Sequence, residues 1–202
     1  MQRQTKNESS RDSSELQRRD VQAESFADSE VAPESWETVG PLIDHIISNY
    51  HRPSVQLLSK LWHCIGDAVE SAGAKPCDQL LALKACHGEL QLDLAHQMMK
   101  EEIRLFPRLR RYEGRRNDPK EQNGFLEIAA LIRAAKGDHS KTLDLLTQIG
   151  EIVPGCDGQE HGPVGEIRTL FAQVDEQVRR RIYLQDEVLF PLIERHSRPP
   201  RA

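Results

Sequence analysis

Two segments of the chain place polar residues within apolar helical patterns, and such residues could build a site inside a helical protein. The first segment is QMMKEEIRLFP, residues 97–107, and the second is RIYLQDEVLFP, residues 181–191. Each has two polar residues four apart before an LFP ending, and residues at i and i+4 share one helix face. A polar pair within an apolar face costs free energy unless another group satisfies it. We therefore expect the two pairs to face each other, a metal ion or water.

The composition favours a helical domain and excludes some classes of function. The chain has 202 residues, of which 38% are hydrophobic and only 5% aromatic, and this suits a bundle packed by aliphatic side chains. A formal net charge of -5 argues against nucleic acid as the partner. The four cysteines show no metal-type spacing, so we expect them to be reduced. With no apolar run at the N-terminus, we expect a cytoplasmic protein that does not bind or cross membranes.

Four amphipathic segments predict an antiparallel up-down four-helix bundle, an all-α fold. We expect a disordered polar tail at 1–35, the bundle at 36–196 and a short C-terminal tail at 197–202. The first helix begins near Gly40 and should kink at Pro53. The second ends near Leu105 and is followed by a basic surface loop at 108–124. The third and fourth helices cover 125–152 and 163–195.

Three histidines fall on the apolar faces of these helices when residues are placed at about 100° each. They are His51, His87 and His139, whereas His96 points away from the apolar face of its helix. A single inward histidine is usually a hydrogen-bonded core residue. Inward histidines on several helices, together with an inward Glu101, favour a site.

The segments PLIDHIISNYH (41–51), QMMKEEIRLFP (97–107), DH followed by LDLL (138–146) and EVLFP (187–191) together resemble a known family. They are similar to the hemerythrin-like superfamily of HHE cation-binding proteins, and most of all to its repair-of-iron-centres branch. The resemblance covers residues 41–194. It implies a four-helix bundle that holds two non-haem irons, bridged by carboxylates and bound by one inward histidine per helix. Some members are implicated in repairing iron–sulfur clusters after nitrosative or oxidative damage, and others bind or sense oxygen.

The resemblance assigns six ligand positions, of which this chain keeps half. The ligands that it keeps are His51, Glu101 and His139. The degenerate positions hold Gln97, where the family has histidine, and Arg181 and Gln185, where it has HxxxE. Arginine is a permanent cation without a lone pair, so it cannot bind iron.

Two alternatives follow for the interior of the bundle. In the first, Arg181 pairs with Glu101, and the surrounding polar residues form a hydrogen-bonded network that replaces the metal. In the second, His51, His139 and Glu101 bind a single non-haem iron, the ligand set of mononuclear iron sites, with His87 as a candidate fourth ligand.

Three classes of function remain open. The chain is either an iron protein of iron-centre repair and the stress response, a metal-free interaction or regulatory module, or a plain scaffold. Its partner would be an iron–sulfur or iron protein, or a second copy of the chain. The sequence has no nucleophile–base pair and no phosphate-binding glycine loop, so nothing in it points to an enzyme.

Overall fold

The computed structural model describes residues 36–73, 76–115, 122–156 and 163–196. The tails expected at 1–35 and 197–202 lie outside the described residues, as do residues 116–121 of the expected loop between the second and third helices. Within the described residues the regular structure is helical, without strands. None of these helices combines the length and apolar character that a membrane-spanning segment needs.

Four long helices make up the fold, and three of them contain a wide π-helical turn. Helix α1 (residues 39–71) consists of Val39–Ile46, the π turn Ile47–His51 and Arg52–Ser71. Helix α2 (residues 78–115) consists of Asp78–Lys100, the π turn Glu101–Leu105 and Phe106–Arg115. Helix α3 is Gln122–Ile152, followed by the short 3-10 turn Val153–Gly155. Helix α4 (residues 163–196) consists of Pro163–Tyr183, the π turn Leu184–Leu189 and Phe190–His196.

The helices pack as an antiparallel up-down bundle. Helix α1 packs against α2 and α4, and α2 packs against α3. The first segment of α1 contacts the last segment of α2 and the π turn of α4, as antiparallel neighbours must. The Glu113 carboxylate of α2 also accepts hydrogen bonds of 2.7 Å from the Val39 N–H and 3.4 Å from the Gly40 N–H, which start helix α1. The prediction of an all-α four-helix bundle is confirmed.

Each π turn lies just before a proline. The residues that precede Pro53, Pro107 and Pro191 are Arg52, Phe106 and Phe190. Each of these preceding residues donates its N–H to the carbonyl five residues back, and the three carbonyls belong to Ile47, Glu101 and Gln185. Proline has no N–H, and its ring clashes with the carbonyl four residues earlier. We attribute the wide turns to this clash, because they move that carbonyl aside without ending the helix. At Pro53, where we expected a kink, the helix therefore continues through a π turn.

The basic segment after Leu105 is helical as far as Arg115, so the prediction of a loop from residue 108 is wrong for residues 108–115. Phe106, Leu109 and Tyr112 are buried at steps of three residues. Their burial against the bundle stabilises the helix despite four arginines between residues 108 and 115. The apolar spacing of these three residues was the signal that the charge pattern concealed.

Candidate functional site

Six polar side chains from all four helices meet inside the bundle, and we call them the core polar cluster. Each is at most 3% exposed; they are His51 of α1, Gln97 and Glu101 of α2, His139 of α3, and Arg181 and Gln185 of α4. On one side lies a contiguous apolar core that includes Leu58, Leu90, Leu94, Leu146 and Val178. The buried residues towards the other end of the bundle include Leu42, Ile46, Leu105 and Leu189. The cluster is therefore a polar layer within an apolar interior.

Glu101 is the centre of the cluster. Its Oε2 accepts a hydrogen bond of 2.8 Å from Gln185 Nε2, and the same oxygen lies 3.1 Å from His51 Nε2. Arg181 Nη1 is 3.8 Å from Oε2, and His139 Nε2 is 3.5 Å from Oε1. The three other helices thus each contribute a donor or a potential cation to one buried carboxylate.

Arg181 lies wholly inside the protein, with 1% of its surface exposed. Its Nη2 donates a hydrogen bond of 2.9 Å to Gln97 Oε1. Its Nε and Nη1 atoms have no hydrogen-bond partner among the described residues, although Nη1 remains within ion-pair distance of Glu101. A buried guanidinium is costly without a counter-charge, so Glu101 is the group that makes this placement tolerable.

The amide of Gln97 is held by a side-chain network that includes Asp93 and Thr142, neither of which was predicted as a site residue. Its Nε2 donates to Asp93 Oδ2 at 2.7 Å, to the Asp138 carbonyl at 3.0 Å and to Thr142 Oγ1. Thr142 is fully buried and donates to Asp93 Oδ2 at 2.9 Å. With its nitrogen fixed in this way, Gln97 turns its oxygen towards Arg181. The available sequence signal was the position of Thr142, which lies three residues after His139 and four before Leu146 and so shares their apolar helix face.

The two halves of the bundle repeat one arrangement around each histidine. His51 Nδ1 lies 2.7 Å from Glu102 Oε1, and His139 Nδ1 lies 2.9 Å from Asp186 Oδ1. The phenylalanine of each LFP motif then stacks on its histidine: Phe106 on His51 at 5.7 Å between ring centroids, and Phe190 on His139 at 6.2 Å.

The repeat is visible in residue spacing as well as in geometry. Counted from Gln97 and from Arg181, the equivalent residues occur at the same intervals; they are Glu101, Glu102, Phe106 and Pro107 in α2, and Gln185, Asp186, Phe190 and Pro191 in α4. The LFP motif is thus a structural unit: its phenylalanine packs on the histidine, and its proline follows the π turn that carries the second residue of each polar pair, Glu101 or Gln185.

Each histidine of the cluster lies between Glu101 and an outer carboxylate. Each Nδ1 faces Glu102 or Asp186 and each Nε2 faces an oxygen of Glu101, so both ring nitrogens are placed to donate to a carboxylate. Burial lowers the pKa of His139, but hydrogen bonds to Asp186 and Glu101 outweigh it and the pKa is raised. Burial raises the pKa of Glu101, but the charge of Arg181 and hydrogen bonds from both histidines outweigh it and the pKa is lowered. An anionic Glu101 therefore lies among cationic or donor groups.

The potential metal ligands of the core polar cluster do not fit a di-iron centre. Among the described residues, no group of three or more His, Cys, Asp or Glu side chains is arranged to hold a metal ion. Only one carboxylate lies in the cluster, and its Oε2 already faces His51, Gln185 and Arg181. Two irons need several anionic ligands to balance their charge, whereas Arg181 adds a positive charge at this point.

His87, the candidate fourth ligand, is not part of the cluster. It precedes Glu101 by 14 residues on the same helix, and a rise of 1.5 Å per residue separates the two by about 21 Å. The ring of His87 is fully buried and stacks on Trp62 with centroids 5.8 Å apart. Burial lowers the pKa of His87 to about 4, so it is a neutral core residue. His96 is exposed, as predicted.

Comparison with known proteins agrees with this architecture. No curated protein matches the chain. The family model of the hemerythrin HHE cation-binding domain matches residues 42–193. This range includes every residue of the core polar cluster and all of the four helices except the first three residues of α1 and the last three of α4. The chain therefore belongs to the hemerythrin HHE cation-binding domain family.

Proposed function

We propose that this bundle has exchanged the di-iron centre of its family for an internal ion-pair network and acts as a metal-independent interaction or regulatory module. The burial of Arg181 carries the proposal. Its guanidinium is 1% exposed, binds Gln97 and lies 3.8 Å from Glu101. A permanent cation at this depth takes the role of charge balance that bound iron would otherwise have.

The network also supplies contacts that a metal centre would make between helices. Through Glu101 it joins α2 to the other three helices, by way of His51, His139 and Gln185. Gln97 adds a second connection from α2 to α4 through Arg181. A bundle cross-linked in this way keeps its register without a metal ion, so its outer surface can serve recognition while the interior remains inert.

A second candidate keeps an iron-related role in iron-centre repair, with one non-haem iron at His51, His139 and Glu101. One observation favours it. The Nδ1 atoms of both histidines contact outer carboxylates, the usual orientation of metal-binding imidazoles, and their Nε2 atoms point to the one carboxylate of the cluster. The partner of such a protein would be an iron–sulfur or iron protein.

Thermal unfolding with and without metal separates the two candidates. A metal ion that binds only the folded state would raise the melting temperature. Because we propose that no metal binds, we expect the chain to have the same melting temperature in excess chelator and in anaerobic ferrous iron. A rise with ferrous iron that is lost in Glu101→Gln and kept in His96→Ala would overturn the proposal and favour the second candidate. The His96 variant is the matched control, since that ring is exposed on the same helix.

A gain-of-function variant tests the comparison with the family. Arg181→His, Gln185→Glu and Gln97→His together restore the metal ligands that the family has at these positions and remove the guanidinium. We expect this triple variant to bind iron and to absorb in the near ultraviolet. A folded triple variant that stays colourless with iron would contradict the residue assignment on which the proposal rests.

A further inference from the structure

Helix α2 carries a second apolar stripe on the side that points away from the bundle. We call this stripe the outer face of α2, and its residues are Leu81, Ala85, Gly88, Leu92, Ala95, Met99 and Ile103. They follow one another at steps of three or four residues, which keeps them on one side of a helix. The buried residues Leu83, Leu90 and Leu94 lie on the opposite side when residues are placed at about 100° each. Helix α2 is therefore apolar on two sides, of which one faces the core.

The large side chains of the outer face are exposed. Four of the six exposed large hydrophobic residues in the described part of the chain belong to it, each at least 46% exposed; they are Leu81, Leu92, Met99 and Ile103. Ala85 and Ala95 between them are also exposed. Single apolar residues are common on protein surfaces, whereas a continuous apolar patch marks an interaction surface. No described element covers this face, so it is open to a partner.

The spacing of the outer face fits packing against another helix. From Leu81 to Met99 the steps alternate between four and three residues, which is the apolar repeat by which two helices pack along their length. The face continues to Ile103 and is about 33 Å long at 1.5 Å per residue. The small residues at positions 85, 88 and 95 let the axis of a second helix come close. A long helix with a matching apolar stripe is therefore the partner that fits, and a second copy of α2 has one.

Charged residues flank the outer face on the side next to α1. Lys84 lies over the Trp62 ring of α1, 5.5 Å from its centroid, and Glu102 contacts His51 of α1. The two charges have opposite sign, and they lie eight residues before and ten residues after Leu92. When two α2 helices pair in opposite directions about Leu92, Lys84 of one copy is level with Glu102 of the other to within two residues. The α1 side of the face is thus complementary in charge to its own copy.

The side next to α3 is also complementary to its own copy. Lys100 pairs with Asp138 of α3, which identifies this side of the helix. On it the exposed Glu89 lies three residues before Leu92, and the exposed His96 lies four residues after it. In the antiparallel pair, the Glu89 carboxylate of one copy is therefore level with the His96 ring of the other, an acceptor opposite a donor.

The direction of pairing follows from the two ends of α2. Segment 78–93 has three acidic residues and one lysine, whereas segment 104–111 has four arginines and no acidic residue. A parallel pair would bring like ends together, and like charges oppose association. An antiparallel pair places the basic end of each helix beside the acidic start of the other, and it also sets their helix dipoles in opposite directions. The charges of α2 therefore favour the antiparallel arrangement.

We propose that two copies of the chain pair through the outer face of α2, with the helices antiparallel and Leu92 of each copy at the two-fold axis. Such a pairing needs a surface that is complementary to itself, and the apolar stripe with its two charged sides has this property. Leu81 of one copy then packs near Ile103 of the other, and Ala85 packs near Met99. The inference goes beyond the proposed function and does not depend on whether the core polar cluster holds a metal, because the cluster lies on the opposite side of α2.

Sedimentation equilibrium of the full chain over a wide range of concentration tests the proposal. We expect a reversible equilibrium between monomer and dimer. Leu92→Glu should weaken the dimer by about tenfold or more, because it places a charge in the centre of an apolar contact. Leu126→Glu is the matched control, since Leu126 is an exposed leucine of α3 outside the outer face, and it should change the dissociation constant by less than about twofold. Both positions are exposed, so circular dichroism should show unchanged folding.

Photo-crosslinking tests the direction of pairing. With p-benzoylphenylalanine in place of Leu81, we expect attachment to the segment around Ile103 of a second chain. Residues 81 and 103 lie about 33 Å apart on one helix, so this product cannot form within one copy. Attachment around position 81 of the second chain would show a parallel pair and contradict the proposal.

Oxidation of Met99 shows whether another molecule or segment covers the face. Its thioether should be oxidised readily in dilute monomer and be protected in the dimer. Protection in the monomer would mean that residues 1–35 of the same chain, or a different molecule, cover the outer face, and it would overturn the proposal. The proposal is also overturned if the chain stays monomeric at every concentration, or if Leu92→Glu and Leu126→Glu weaken the dimer equally.

Discussion

Arg181 Nη2 donates a hydrogen bond of 2.9 Å to Gln97 Oε1, so the two residues that stand where the resemblance predicts histidines bind each other. This pairing places a guanidinium between α2 and α4. The Gln97 amide nitrogen faces Asp93 and Thr142, and the oxygen is left for Arg181. The replacements in the cluster therefore act together, since Gln97 offers an acceptor to the cation and Glu101 offers the counter-charge.

Removal of the guanidinium should destabilise the fold strongly. Arg181→Met strands the 3% exposed Glu101 without its cation, and breaking a buried pair on one side costs about 3–5 kcal/mol. The double variant Arg181→Met with Glu101→Gln should lose clearly less than the sum of the two single variants. Denaturant unfolding measures all three. Additive losses would show that the two side chains are not coupled.

Thr142 should matter through its hydroxyl. Thr142→Val keeps the shape of the side chain but removes its hydrogen bonds to Gln97 and Asp93, and leaving buried polar groups unsatisfied costs about 1–3 kcal/mol. Thr147→Val is the control, because the Thr147 hydroxyl bonds only to the Leu143 carbonyl at 2.9 Å on an exposed surface. Equal losses in denaturant unfolding for the two variants would argue against a specific role for Thr142.

Stability should fall at acid pH because of His87, and we call this part of the pH profile the acid limb. Its folded pKa is about 4 against an ordinary value of 6.5, so the unfolded chain binds the proton first and stability falls as pH decreases from 6.5 to 4. His87→Leu should flatten this part of the profile of unfolding free energy against pH. An unchanged profile would mean that His87 does not contribute to the acid limb.

His139 should act in the opposite direction. Its pKa is raised above the ordinary value of 6.5. Its contribution to the free energy of unfolding is therefore complete below pH 6.5 and is lost as pH rises through the folded pKa. In the profile of unfolding free energy against pH, the loss of stability at higher pH should therefore persist in His87→Leu.

The fold was predictable from the sequence because its apolar pattern repeats over long segments. Residues such as Leu83, Leu90 and Leu94 mark one helix face, and no polar detail changes that result. The inward histidines and Glu101 were identified by the same helical spacing. The end of α2 was missed because the arginines between residues 108 and 115 concealed the buried Leu109 and Tyr112.

Distances between helices could not be read from the sequence. His87 is different, because its 14-residue separation from Glu101 on one helix already places it about 21 Å away, so helix geometry alone excludes it from the cluster. The contacts of Thr142 with Gln97 and of Glu102 with His51 depend on packing between helices. The π turns are a further case, since they change which residues of a helix face inward.

Iron stoichiometry is the measurement that tests the metal-independent network most directly. The chain would be purified anaerobically, reconstituted with ferrous iron, freed of excess metal and measured by plasma mass spectrometry. We predict no stoichiometric iron, because Arg181 already lies beside the one carboxylate of the cluster. About one iron per chain, lost in Glu101→Gln, would contradict this result and indicate the mononuclear site, and about two would show that the replaced positions still bind a di-iron centre.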